Sequence, residues 1–161
     1  KNSVGSDTSV SWPNGVGGKG NAGVAASVTQ TIGSIGYVEY AYAKQTKLTH
    51  TDLINAAGAR VRPNANSFQA GARNADFSRA QDFYLILTNQ PGKDSWPIIA
   101  ATYMLMRSDY AADRNRSVLK FLDWSLRNGR PMAEKLDYVP IPEATVRQIE
   151  ASWTRALGAW P

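Results

Sequence analysis

The sequence contains no cysteine and a single histidine among its 161 residues. The absence of cysteine excludes disulfides, thiolate metal sites and cysteine nucleophiles together. His50 stands in a polar segment with no partner readable nearby, whereas general-base catalysis needs a positioned partner within hydrogen-bond reach. Neither an H-E-x-x-H zinc motif nor a G-x-S-x-G nucleophile elbow occurs. We therefore expect no catalytic residue, no metal site, no cofactor and no enzymatic activity.

Long apolar runs and concentrated charge are also missing. The longest apolar stretch, residues 97–106, is shorter than the roughly 18 residues of a transmembrane helix, and we interpret it as a buried strand. Lysine and arginine total 18 against 13 acidic residues, a net charge of +5. Because these charges are dispersed and no basic stripe carries interleaved aromatics, we expect no nucleic-acid partner. There is no initiator methionine and no signal-peptide pattern, so we expect a processed, cleaved or incompletely described chain.

What the chain does have is a glycine-rich stretch followed by helical and strand patterns, over residues 12–40. Asn21 is predicted to cap a helix, because its side-chain oxygen can accept a backbone N–H of the first turn. Val24, Ala25 and Val28 recur at helical spacing, and Gly33 stands near a favoured end position. Residues 35–40 are β-branched and aromatic, which predicts a strand. Four glycines precede the helix: Gly15, Gly17, Gly18 and Gly20.

Three interpretations of this glycine loop compete. A phosphate-binding Walker loop fails, because Gly20 stands where serine or threonine is required and Pro13 where the first glycine is required. A dinucleotide fingerprint is satisfied literally by Gly15–Gly20, and Glu39 follows at the expected distance. The segment before the glycines, however, is too short and too polar to be a buried strand. The third interpretation is a structural turn that joins a strand to a helix. On the residues alone this last one is favoured.

The rest of the chain alternates short apolar segments with amphipathic ones, which predicts an α/β sandwich. Strands are expected at residues 48–54, 60–62, 83–87 and 98–106. Helices are expected at residues 41–46, 65–73, 117–128, 131–136 and 143–157. In the last of these, Val146, Ile149, Trp153 and Leu157 form one apolar stripe. Gly129 is placed to end the helix predicted at 117–128.

Several motifs together closely resemble one protein family, the solute-binding protein of the bacterial high-affinity phosphate ABC transporter. Residues 12–43 carry the longest motif, which reads WPNGVGGKGNAGVAASVTQTIGSIGYVEYAYA. The later motifs follow in the family's order: LTNQ at 87–90, WPI at 96–98, VLKFLDW at 118–124 and LDYVP at 136–140. The resemblance spans nearly the whole chain, and it is far more specific than any single glycine pattern.

The resemblance implies an α/β fold of the type II periplasmic-binding-protein class, with two lobes and a cleft between them. It assigns residues 1–87 to the C-terminal part of the second lobe, 88–95 to a hinge crossover, and 96–161 to the part returning to the first lobe. The chain would then be the C-terminal half of such a protein. Each lobe would lack strands, so we expect the isolated chain not to be a compact, cooperatively melting monomer.

The resemblance also implies the function, which is capture of inorganic phosphate for delivery to a membrane permease, in the periplasm. The family's phosphate ligands lie upstream of residue 1, so no direct ligand is carried over to this chain. Lys19 and Asn21 are the cleft candidates, either as ligands or as residues that fix the loop. Two alternatives stay open: a dinucleotide-binding enzyme domain using Gly15–Gly20, and a non-transport interaction protein on the same fold.

Overall fold

The computed structural model describes residues 4, 5, 7 and 9–157, apart from the side chains of Arg79, Ala156 and Leu157. The predicted stripe position Leu157 therefore lies outside the described side chains. The helices are α1 (Gly20–Gln30), α2 (Tyr40–Gln45), α3 (Ala65–Arg73), α4 (Ala112–Asn128), α5 (Arg130–Lys135) and α6 (Glu143–Leu157). Two short strands, β1 (Leu53–Ile54) and β2 (Arg60–Val61), and two 3₁₀ turns, Phe77–Arg79 and Gln81–Phe83, complete the assigned elements.

The chain divides into two compact units, Lys1–Thr49 and His50–Pro161. The first contains the glycine loop, α1 and α2. Helix α1 buries Ala25 and ends at Gln30, with Thr31 as its C-cap. Gly33, in the following turn, has a φ of +78°. The cap position before α1 is occupied by Lys19, not by the predicted Asn21. The prediction that Asn21 caps this helix was wrong, because the Asn21 side chain forms its hydrogen bond elsewhere in this unit, as described below.

The predicted strand over residues 35–40 does not form. Residues 34–39 have no regular structure, and α2 already begins at Tyr40. Ile35 is 89% exposed and Tyr37 is also exposed. A strand needs a neighbour for its backbone N–H and C=O groups, and the described residues of this unit contain no strand that could supply one. The residues have the composition of a strand without a sheet to join.

In the second unit, β1 and β2 form an antiparallel hairpin in which Leu53 faces Val61. Asp52 accepts hydrogen bonds from Arg60 Nε at 3.0 Å and Arg62 Nε at 3.3 Å. Partial burial raises the pKa of Asp52, but these two guanidinium groups outweigh that effect and leave the pKa below its ordinary value. The contribution of these two ion pairs to stability is therefore present near neutral pH and is lost as the pH falls through the lowered pKa of Asp52.

Helix α3 has the predicted bounds, and a reciprocal cap explains where it begins. The Asn64 side chain accepts from Ser67 N–H at 3.1 Å, and Ser67 Oγ accepts from Asn64 N–H at 3.1 Å. Two backbone donors of the first turn are satisfied in this way. The helix buries Ser67, Ala70 and Gly71, while Phe68 is only partly buried.

Asn55, at the end of β1, joins the hairpin to residues 92–95. Its Nδ2 lies 3.0 Å from Gly92 O and from Lys93 O and 3.1 Å from Ser95 O. Its Oδ1 accepts from the backbone N–H groups of Ala57 and Ala59, at 3.0 and 3.1 Å. The Asn55 side chain thus serves five backbone groups of two loops while itself buried.

The core of the second unit lies between α4 and α6. Leu119, Leu122 and Trp153 are buried there, and Met106, Leu126 and Ile149 pack around them. The predicted helical spacing in both segments is confirmed by these contacts. Helix α4 begins at Ala112, five residues before the predicted start, and Gly129 occupies its C-cap as predicted.

The predicted strands at 83–87 and 98–106 do not form, and the strand predicted at 48–54 is reduced to Leu53–Ile54. Leu87 is buried and its neighbour Ile86 exposed, as in a strand with one face covered, yet no ladder is present. Leu105, within the most apolar stretch of the chain, is 95% exposed. The reason is again the lack of adjacent strands, because a strand meant for a sheet interior needs partners on both sides.

The part of the chain that the structure describes therefore combines six helices with a two-stranded sheet. This combination is consistent with the predicted α/β class, but the sheet is far smaller than the sequence predicts. None of the described helices is both long enough and apolar enough to cross a lipid bilayer.

Candidate functional site

The glycine loop and the start of α1 form the candidate site that the sequence predicts. Gly18 packs so closely on α1 that a Cβ atom there would lie 2.5 Å from Val24 N, so no larger residue fits without a backbone shift. Gly20, the first residue of α1, has a φ of +64°, a left-handed conformation that favours glycine. These two glycines fix how the chain enters the helix, which supports the structural-turn interpretation of the loop.

Asn21 connects this loop to the segment after α1. Its Oδ1 accepts a hydrogen bond from Glu39 N–H at 2.9 Å, across 18 residues of chain. The sequence did not predict this contact between Asn21 and Glu39. The bond gives Asn21 a loop-fixing role, because it holds the first turn of α1 against the residue that precedes α2.

Lys19 is exposed and occupies the cap position of α1. Its side chain makes no capping bond to the helix, and the first turn contains no acidic residue. The positive end of the helix dipole and the lysine charge therefore lie at the same place, which suits a negatively charged group. Of the two predicted candidates, Lys19 adds positive charge at the start of α1, whereas Asn21 forms a hydrogen bond that holds the loop in place.

A dinucleotide-binding site requires a buried strand that leads into the glycine loop. Residues 9–12 form no strand, and no strand occurs in the described part of the first unit. Glu39, which would bind the ribose, precedes α2 and uses its backbone N–H to hold Asn21. The literal match of Gly15–Gly20 therefore lacks the surroundings that give this motif its function.

Among the residues that the structure describes, the other titratable side chains form no recognisable catalytic arrangement. His50 is exposed, at the start of the second unit. Within the described ranges, no three histidine, aspartate or glutamate side chains lie close enough together to hold a metal ion.

A cavity of about 400 Å³ lies in the second unit, where the 3₁₀ turns meet α6. The sequence did not predict it, because its walls come from segments about 70 residues apart. Asp82 and Phe83, both with positive φ, form part of the wall, and no sequence motif marks either residue. The lining residues are Phe77, Ser78, Ala80, Asp82, Phe83, Gln148, Ala151, Ser152 and Arg155.

Several curated proteins with similar sequences are phosphate-binding proteins of the PstS type. The "Phosphate-binding protein PstS" of Xylella fastidiosa strain 9a5c is 53% identical over 95% of this chain. The proteins of that name from Pasteurella multocida and Haemophilus influenzae are 47% and 46% identical, over 95% and 98% of the chain. The chain spans 42%, 45% and 47% of these three relatives, which is less than half of their length. No protein-family profile matches the chain.

The class of protein that this chain resembles is therefore the phosphate-binding proteins, as its motifs indicated. More particularly, the chain is a partial PstS-like sequence, and the predicted resemblance is confirmed. The relatives imply a periplasmic-binding-protein-like fold. The division into two lobes at residues 88–95 stays a prediction.

Proposed function

We propose that this chain is part of a protein that captures inorganic phosphate in a cleft between two lobes and delivers it to the permease of an ABC transporter in the periplasm. The observation that carries the proposal is the 53% identity to a phosphate-binding protein over 95% of the chain. As a binding protein, it would hold its ligand without converting it.

The groups that grip phosphate are proposed to lie outside these residues, in the remaining half of a PstS-like polypeptide. Two observations support this. The relatives are more than twice as long as the part they share with this chain. The three segments with strand composition, at 35–40, 83–87 and 98–106, also form no strand in the described structure and expose apolar side chains. Strands supplied by that remaining half would pair with them and complete both lobes.

In such a cleft, hydrogen bonds from the protein replace the hydration shell of the anion as the lobes close. A carboxylate acceptor in the cleft would favour phosphate over sulfate, because only phosphate retains a proton to donate at neutral pH. This chain would contribute lobe scaffold, the crossover at residues 88–95, and a section of cleft wall at Lys19 and Asn21. Backbone N–H groups at the start of α1 would add to the positive potential of that wall.

A chimera tests the function. The segment of the X. fastidiosa 9a5c relative that matches this chain is replaced by the chain itself, and we call the product the PstS chimera. We expect isothermal titration calorimetry to detect saturable binding of inorganic phosphate and no binding of sulfate. The isolated 161-residue chain should bind neither, because its ligands are missing. A folded chimera that gives no heat with phosphate and no thermal stabilisation would contradict the proposal.

The contribution of Lys19 can be measured in the same chimera. Lys19→Met should weaken phosphate binding about two- to fivefold, since it removes one charge from the wall without removing a ligand. The effect should shrink at high salt, which screens exposed charges. Lys47→Met is the matched control, because Lys47 is an exposed lysine of the same unit outside the glycine loop. A loss above about a hundredfold would instead make Lys19 a direct ligand, and equal effects of both variants would remove Lys19 from the cleft wall.

A further inference from the structure

The chain contains two Asn-Gly pairs, at residues 14–15 and 128–129. In such a pair the asparagine side chain is open to attack by the backbone nitrogen of the glycine, because glycine has no Cβ to shield that nitrogen. Both asparagine side chains are exposed, so neither the sequence nor accessibility to water distinguishes the two pairs. The hydrogen bonds around them do.

Asn14 and Gly15 lie in the glycine loop, where no helix or strand holds the backbone. Within the described part of the chain, no hydrogen bond uses the Asn14 side chain or the Gly15 N–H. Gly15 has a φ of +119°, and, apart from its chain neighbours, no atom lies within 4 Å of the place that a Cβ would occupy. The Gly15 nitrogen can therefore approach Asn14 Cγ, and the loop has room for the ring that would form.

Asn128 and Gly129, by contrast, lie where α4 ends and α5 begins. Gly129 N–H donates to Ser125 O at 2.8 Å, and Asn128 Nδ2 donates to Trp124 O at 3.0 Å. Gly129 O also accepts from two N–H groups of α5, at 3.0 and 2.9 Å. Both reacting groups are therefore held in place, and a reaction between them requires this junction of two helices to open first.

We propose that Asn14 is a deamidation site of the folded protein and that the fold protects Asn128. The Gly15 nitrogen loses its proton to the solvent and forms a bond to Asn14 Cγ. The bond from Cγ to the side-chain nitrogen breaks, and that nitrogen takes up a proton and leaves as ammonia. Water then opens the resulting succinimide ring at one of its two carbonyl carbons, which gives either aspartate or isoaspartate at position 14.

Both products change the glycine loop. Each replaces a neutral amide by a carboxylate, five residues before Lys19, and isoaspartate also routes the main chain through the side-chain methylene. The reaction consumes only water and requires no enzyme, metal or oxidant. It goes beyond the proposed function and does not depend on it, because the reacting atoms all belong to residues 14 and 15.

Water labelled with oxygen-18 tests the proposal, because ring opening places one oxygen atom from water in the product. The folded PstS chimera is incubated at pH 8 in this water and then digested with trypsin in ordinary water. Mass spectrometry with fragmentation measures the label at residues 14 and 128. We expect label at residue 14 to accumulate at least about tenfold faster, since residue 128 reacts only in molecules whose helix junction has opened.

Two controls accompany this measurement. In urea both positions should gain label at similar rates, which shows that the difference arises from folding. The Asn14→Gln chimera should gain no label at position 14, because attack on the longer side chain would require a larger ring that forms more slowly.

The outcomes are separate from those of the proposed function. Equal labelling of both positions in the folded chimera overturns the proposal. The same preference for residue 14 in urea also overturns it, because the local sequence and not the fold would then be the cause. A folded chimera that labels residue 14 selectively but binds no phosphate supports the deamidation site and contradicts the proposed function alone.

Discussion

Replacement of Leu119 by alanine should lower the free energy of unfolding of the PstS chimera by about 2–5 kcal/mol. Leu119 has no exposed surface and packs with Leu122 and Trp153, where α4 meets α6. The substitution removes apolar contacts and leaves a cavity that the two helices can close only in part. Urea unfolding followed by circular dichroism measures the change, with the midpoint shifting and the slope unchanged.

Lys120→Ala is the matched control for this prediction. It lies on the same helix, one residue further along, and its side chain is exposed. We expect a change within about 0.5 kcal/mol, as for surface positions in general. If both variants unfold at the wild-type midpoint, the contact between α4 and α6 is not the core of this unit.

The second large effect is expected at Asn55. Asn55→Ala would leave three carbonyl oxygens in residues 92–95 and two N–H groups of the hairpin turn without the amide that serves them. Each buried polar group left without a partner costs about 1–3 kcal/mol, although Gly92 O keeps its bond from Ser95 N–H and water would reach some of the others. We therefore expect a loss of about 3 kcal/mol or more in the unfolding free energy of the chimera. Trypsin should also cut after Lys93 faster, because the bond to its carbonyl is lost.

Two variants give this prediction its controls. Asn66→Ala replaces an exposed asparagine of α3 and should leave stability within about 0.5 kcal/mol of wild type. Asn55→Asp keeps an acceptor for the turn but places a carboxylate against carbonyl oxygens. Its deficit should shrink as the pH falls, because a protonated carboxyl can donate one of the lost bonds. A loss that is the same at pH 5 and pH 8 would argue against the donor role of Asn55.

The contrast between helices and strands in this chain has a physical cause. The bounds of α3 and α6 match their predictions, and α4 differs only at its start. A helix satisfies its backbone groups within its own segment, so the local pattern of apolar residues and caps is enough to locate it. The strands predicted at 35–40 and 98–106 were wrong, although the composition of both segments is typical of strands. A strand forms only when another strand pairs with its backbone groups.

The candidate site divides in the same way. The glycine motif and Lys19 were identifiable from the sequence, since both depend on residues adjacent in the chain. The bond between Asn21 and Glu39 and the five contacts of Asn55 were not predicted. An asparagine can cap a helix, complete a turn or join two loops with the same atoms. Only the path of the chain decides which of these partners comes within 3 Å.

The sequence by itself determined the resemblance to phosphate-binding proteins, the positions of the main helices and the lack of a recognisable catalytic motif. Each of these depends on residue order over a few turns of chain or on motifs that recur in relatives. The tertiary structure alone decided which apolar residues form a core and which stay exposed. Burial depends on a second surface at the right distance, and for Ile35, Leu105 and Phe121 of α4 no such surface lies among the described residues.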